Sequence, residues 1–186
     1  MPSGKIVIAQ TQKWIAEVVV ACNFCPFAAR EVKRGSINYE VNNSANTKKV
    51  LESLIIQFNQ LDSNTEIETT LLILPEGFSE FNDYLQLVNI AEDLLLAEKY
   101  EGIYQIASFH PQYLFEGSDE TDPANYTNRS PYPMLHILRE ESLSKAIDSY
   151  TDVDSISQRN IEYAKRKGLQ YMKLLWQASF SKTTAL

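Results

Sequence analysis

The sequence predicts an α/β fold: a small, mostly parallel sheet of three strands or slightly more, with helices packed on it and further helices toward the C-terminal end. Three observations carry this prediction. Segments with apolar residues at helical spacing alternate with short β-rich runs. One of those runs, Thr69–Leu74, is apolar on both faces, as a central strand of a parallel sheet must be. The order strand, helix, strand, helix, strand has connections of the length that right-handed parallel crossovers use.

The first helix is expected over Lys5–Cys22, where Ile8, Ile15, Val18, Val19 and Cys22 share one face, and Pro26 stops it beyond Phe24. Ser36–Val41 alternates with period two and predicts a half-exposed strand. After the turn residues Asn42-Asn43-Ser44, the stripe Val50, Leu51, Leu54, Ile55, Phe58 and Leu61 predicts an amphipathic helix. The strand Thr69–Leu74 ends at Pro75. Ser79 is placed to cap the next helix, whose stripe is Phe81, Tyr84, Leu85, Val88, Ala91, Leu94 and Leu95, and which ends at Gly102. A third strand runs over Ile103–Phe109 into His110-Pro111. The 23 residues His110–Tyr132 have no periodicity, and a loop that long in a compact domain is usually functional or disordered. Pro133 then suits the first position of a helix through about Tyr150. Asp154 is placed to cap another helix, ending in Lys165-Arg166-Lys167 before Gly168, and a last helix carries Leu169, Met172, Leu175 and Trp176.

At 186 residues, with no repeat and no Pro/Gly/Ser linker, residues 1–186 read as a single α/β domain. Seventeen Lys and Arg against 24 acids give a net charge of −7. A field of that sign argues against nucleic acid and anionic membrane as partners, so any anion site has to be a local basic pocket. No basic start followed by a long apolar stretch opens the chain, no segment has the length of a membrane span, and two cysteines three apart make no disulfide framework. These features predict a cytoplasmic protein. Oligomeric state and cofactor are not legible. No glycine-rich phosphate loop, Gly-x-Ser-x-Gly elbow or His-Glu-x-x-His helix occurs.

The unusual residues concentrate in two places, Asn23–Ala28 and Ser108–His136, and both histidines fall in the second. His110 is expected at the carboxyl end of the third strand, where ligands enter open parallel sheets. Cys25 with His110 or His136 has the residue types of a nucleophile and its base, with Asn128 and Arg129 as oxyanion donors; alternatively, the cysteines are small apolar core residues. Asn128-Arg129-Ser130 leading into a helix at Pro133 predicts an anion pocket on free N–H groups, with a neutral His136 in the first turn and Arg139 on the same side. The competing reading has Arg129 stitching the loop together through carbonyls. A third reading is a transition-metal site of Cys25, His110 and His136 with an open fourth position. Glu116, Asp119, Glu120 and Asp122 lack the spacing of a calcium loop and read as a solvated acidic face.

The segments Asn23–Ala28, Ala107–Phe115, Asn125–Pro133 and Leu135–Glu140 resemble the signatures of a bacterial family of domains of unknown function, family 1415, whose members are single domains of about this length. The resemblance runs from the first helix to Arg159-Asn160-Ile161. It implies no activity. The family pattern has an aliphatic residue where this chain has Cys22, which implies that Cys25 is the thiol of interest. Cys25, Phe27, His110, Tyr113, Asn125, Tyr126, Asn128, Arg129, Ser130, His136 and Arg139 are the matching residues. The function expected is a site for a small anionic ligand at the carboxyl edge of the sheet, either enzymatic or purely binding. The alternative is a protein-interaction module that presents the tyrosine- and arginine-containing loop.

Overall fold

The computed structural model of the protein describes residues 2–148 and 155–181. Helix α1 (Gly4–Trp14) continues as a π-helical segment, Ile15–Val20, then α2 (Ala28–Arg34), β1 (Ile37–Val41), α3 (Thr47–Ser63), β2 (Thr69–Ile73), α4 (Phe81–Ala97) and β3 (Tyr104–Phe109) follow. A 3-10 turn (Pro123–Thr127), β4 (Met134–Arg139), α5 (Glu140–Asp148), α6 (Ser155–Lys167) and α7 (Leu169–Ala178) complete the order. The α/β class holds. The proposed cap Asp154 and the helix end at Tyr150 lie outside the described residues.

The sheet has four strands in the order β1-β2-β4-β3. β1 pairs parallel with β2, and β4 pairs antiparallel with both β2 and β3, so β1, β2 and β3 all run the same way. The three strands legible in the sequence thus keep their common direction, and the parallel pairing holds in part because a fourth strand is inserted between the second and third. That strand corrects the helix expected from Pro133. Met134–Leu138 alternates as well as it spirals, and β2 and β3 offer it two unpaired edges, worth a full set of ladder hydrogen bonds. Helix formation starts only at Glu140.

Side chains alternate across the sheet. Leu72, Tyr104, Ile106, Leu135 and Ile137 face α3 and α4, forming one core with Leu54, Phe58, Leu61, Tyr84 and Leu87. Leu71, Ile73 and Met134 face the other way, toward Val7, Trp14, Ile15 and Val18 of α1 and its π-helical extension, with Ala164 of α6 and Met172 of α7 closing that side. Each fully buried Leu or Phe contributes about 1.5–3 kcal/mol relative to exposure. The α3 N-terminus is capped by Asn46, whose side chain accepts from the Lys49 N–H. Glu80, not Ser79, occupies the cap position of α4, and no side chain caps it. The turn before α4 passes so close to the turn before α3 that a Cβ on Gly77 would meet the Ala45 Cα at 2.7 Å.

Candidate functional site

The two histidines lie on opposite sides of the sheet. His110 follows β3 as expected, fully buried among Phe81 and Tyr84 of α4. Its Nδ1 accepts from the Gln112 N–H at 3.0 Å, so the tautomer is fixed and Nε2–H donates to the Phe78 carbonyl at 2.8 Å. Phe78 is a non-glycine residue at φ 60°, and this bond pins its turn. Burial lowers the pKa of His110, against the pull of the Phe78 carbonyl. Both of its nitrogens are committed to the protein.

His136 is in the middle of β4, not in a helix turn, with Leu71 of β2 and Ala107 of β3 as its register partners. It faces α1. Its Nε2 lies 2.7 Å from Thr69 Oγ1, which is itself 2.6 Å from the Ile137 carbonyl. Burial pushes the imidazole down to about 4.

A cavity of about 240 Å³ lies over this row. Its floor is Thr69, Leu71, His136, Leu138, Ala107 and Phe109, and its walls include Trp14, Ile15 and Val19 of the first helix and Phe27 beside α2. Cys25 lines it too. The thiol takes hydrogen bonds from the Phe27 and Ala28 N–H groups at the start of α2, but burial outweighs them and raises its pKa. Asn160 of α6 holds the segment in place, donating to the Phe24 carbonyl at 2.7 Å.

Charged groups reach the rim already engaged. Arg30 Nε is 2.5 Å from Glu31 Oε1, and Glu31 also accepts from Ser36 Oγ at 2.6 Å. Burial alone would raise the Glu31 pKa, yet these two donors hold it below the usual carboxylate range. Arg139, at the end of β4, spends its guanidinium on the Leu61, Asn64 and Ile67 carbonyls and so closes the C-terminal end of α3. Glu68 also lines the cavity and adds a weaker, longer-range attraction on Arg30.

The loop residues do not join this cavity. Arg129 donates to the carbonyls of Tyr113 (3.1 Å) and Glu120 (3.3 Å), and lies 4.5 Å over the Tyr126 ring. Asn125 is fully buried: Oδ1 accepts from the Phe115 N–H and Ser118 Oγ, and Nδ2 donates to the Asp119 carbonyl. Ser130 Oγ donates to the Tyr132 carbonyl, Asn128 Oδ1 accepts from Thr127 Oγ1, and Tyr113 packs on Phe81 and Phe115. Arg129, Asn125 and Ser130 thus spend hydrogen bonds on the loop's own backbone, the arrangement of the stitching reading. With β4 in place of a helix, the helix N-terminus expected beside Arg129 is not there.

Cys25 and His136 therefore share one cavity, while His110 stands on the far side of the sheet. Among the described residues no three of His, Cys, Asp and Glu gather closely enough to hold a metal ion, which corrects the Cys25–His110–His136 metal reading. Nor is any described helix long and apolar enough to cross a membrane. Sequence reasoning missed Trp14, Thr69, Ala107 and Phe109 as cavity residues. Their one available signal was strand alternation, which puts Thr69 with Leu71 and Ala107 with Phe109 on a common face.

A family model described as "Protein of unknown function (DUF1415)" matches residues 6–174. No curated protein and no solved structure matches the chain.

Proposed function

The chain belongs to the DUF1415 family, and since the family's description assigns no activity, we propose from the geometry alone that the protein binds a small, mainly apolar molecule on the α1 face of its sheet. The observation that carries this reading is the cavity itself. Its 240 Å³ is walled by aromatic and aliphatic side chains and contains a neutral imidazole. Scaled from a 150 Å³ cavity that takes benzene, it accommodates about ten non-hydrogen atoms. An anionic ligand fits less well, because Arg30 is paired with Glu31, Arg139 turns its donors to carbonyls and Glu68 offsets its charge, so the lining carries no net positive charge.

A cysteine–histidine enzyme is the second reading, favoured by the presence of Cys25 and His136 in one cavity. A thiolate–imidazolium pair needs the thiol pKa lowered and the imidazole raised. Here burial moves both the other way, so binding without turnover is the better-supported reading. Toluene added to the protein should raise its melting temperature, and Ala107→Phe, which fills the cavity floor, should abolish the increase. Equal, negligible responses of both proteins to toluene and to indole would overturn the proposal.

A further inference from the structure

We propose that the cavity's ligand is a small uncharged ring carrying one O–H or N–H donor, of the phenol or indole class, and that His136 Nδ1 accepts that hydrogen. The inference rests on the cavity being a binding site and specifies its chemistry.

The hydrogen-bond chain fixes the imidazole's free atom. Thr69 Oγ1 has a single proton, and the Ile137 carbonyl at 2.6 Å can only accept it. At the 2.7 Å contact with His136 the threonine oxygen must then be the acceptor, so the proton on the neutral ring is on Nε2. Nδ1 is left with a lone pair. No protein donor among the described residues, Cys25 included, makes a hydrogen bond to it. Nor is it occluded: among the described residues the buried side-chain atoms without a partner are Trp14 Nε1 and Ser179 Oγ. An unpartnered nitrogen that is not occluded, on a residue lining the cavity, faces open space there.

The surroundings choose the rest of the ligand. Trp14, Phe27 and Phe109 present aromatic walls suited to a ring. Around the cavity Arg30 stands against Glu31, and Arg139, its donors turned to carbonyls, is offset by Glu68, so a carboxylate or phosphate meets no net positive charge beside the lone pair. The polar atom open to a ligand is an acceptor, because the unpaired Trp14 Nε1–H of the wall is itself buried out of reach. A cavity built to hydrogen-bond a hydroxyl discriminates against the isosteric methyl compound, because the acceptor is otherwise left buried and unpaired.

The test compares phenol, toluene and benzoate by calorimetric titration of the full chain, with His136→Leu as the variant. Phenol is expected to be preferred over toluene, and the preference should fall about tenfold in the variant. In ¹⁵N-histidine-labelled wild-type protein, the unprotonated Nδ1 resonance of His136 should move on adding phenol and stay in place with toluene, a readout that does not require the variant to fold. Toluene binding as well as phenol, with no Nδ1 change, overturns this inference and leaves the apolar cavity standing as a site. Benzoate binding more tightly than either also overturns it. Failure of all three to bind removes the cavity reading along with it.

Discussion

Replacing Arg129 with Ala separates a scaffold from a ligand site. The structure gives the guanidinium one partly buried bond to the Tyr113 carbonyl, one more exposed bond to Glu120, and a ring contact with Tyr126. A charged donor on a buried carbonyl contributes about 1.5–3 kcal/mol, and the lower end applies at partial burial. The exposed 3.3 Å bond adds little, and the cation–ring contact about 0.5–1 kcal/mol. The expected loss is therefore about 2–2.5 kcal/mol. For a chain of this size that is a fall of about 5–10 °C in melting temperature, with a matching shift in urea midpoint at unchanged slope. Phosphate and sulfate should stabilise wild type and variant equally, since no anion depends on Arg129. A variant within about 0.5 kcal/mol of wild type that also loses an anion-dependent stabilisation would refute this and return the loop to ligand binding.

Two further outcomes follow from the buried groups. His136 is held at about 4 against the ordinary 6.5, so below pH 6.5 the unfolded chain takes up a proton that the folded chain refuses. Stability should fall with pH across that window by up to about 1.4 kcal/mol per unit. His136→Leu should flatten the profile, leaving the smaller contribution of His110 in the same direction; equal slopes by urea denaturation at pH 7 and pH 5 would contradict this. Cys25 should alkylate slowly near neutral pH in a Cys22→Ala background, its rate still rising beyond pH 9 because burial raises its pKa. An apparent pKa well below 8.5 would favour the enzyme reading instead.

Much of the fold was legible because its elements declare themselves locally. Val50–Leu61 and Phe81–Leu95 bury one stripe at helical spacing, and Thr69–Ile73, β-branched and aliphatic throughout, is buried at every position between two layers. The candidate site was legible only in part. The motif residues are where packing and polar satisfaction are most demanding, and sequence cannot distinguish an asparagine that binds a ligand from one such as Asn125 that satisfies three groups of its own loop.

By itself the sequence determined the strand–helix alternation and the common direction of β1, β2 and β3, and it named Cys25 and His136 among the residues to follow. Only the tertiary structure decided that Met134–Arg139 is a strand. A short apolar run has no strong preference of its own, and the vacant edges of β2 and β3 supply the missing free energy. That one decision moved His136 from a helix turn to the centre of the sheet, put its register partners Leu71 and Ala107 beside it, and set the two histidines on opposite faces. Strand side chains alternate sides, and which side a residue takes depends on a register that is set by neighbours distant in the chain.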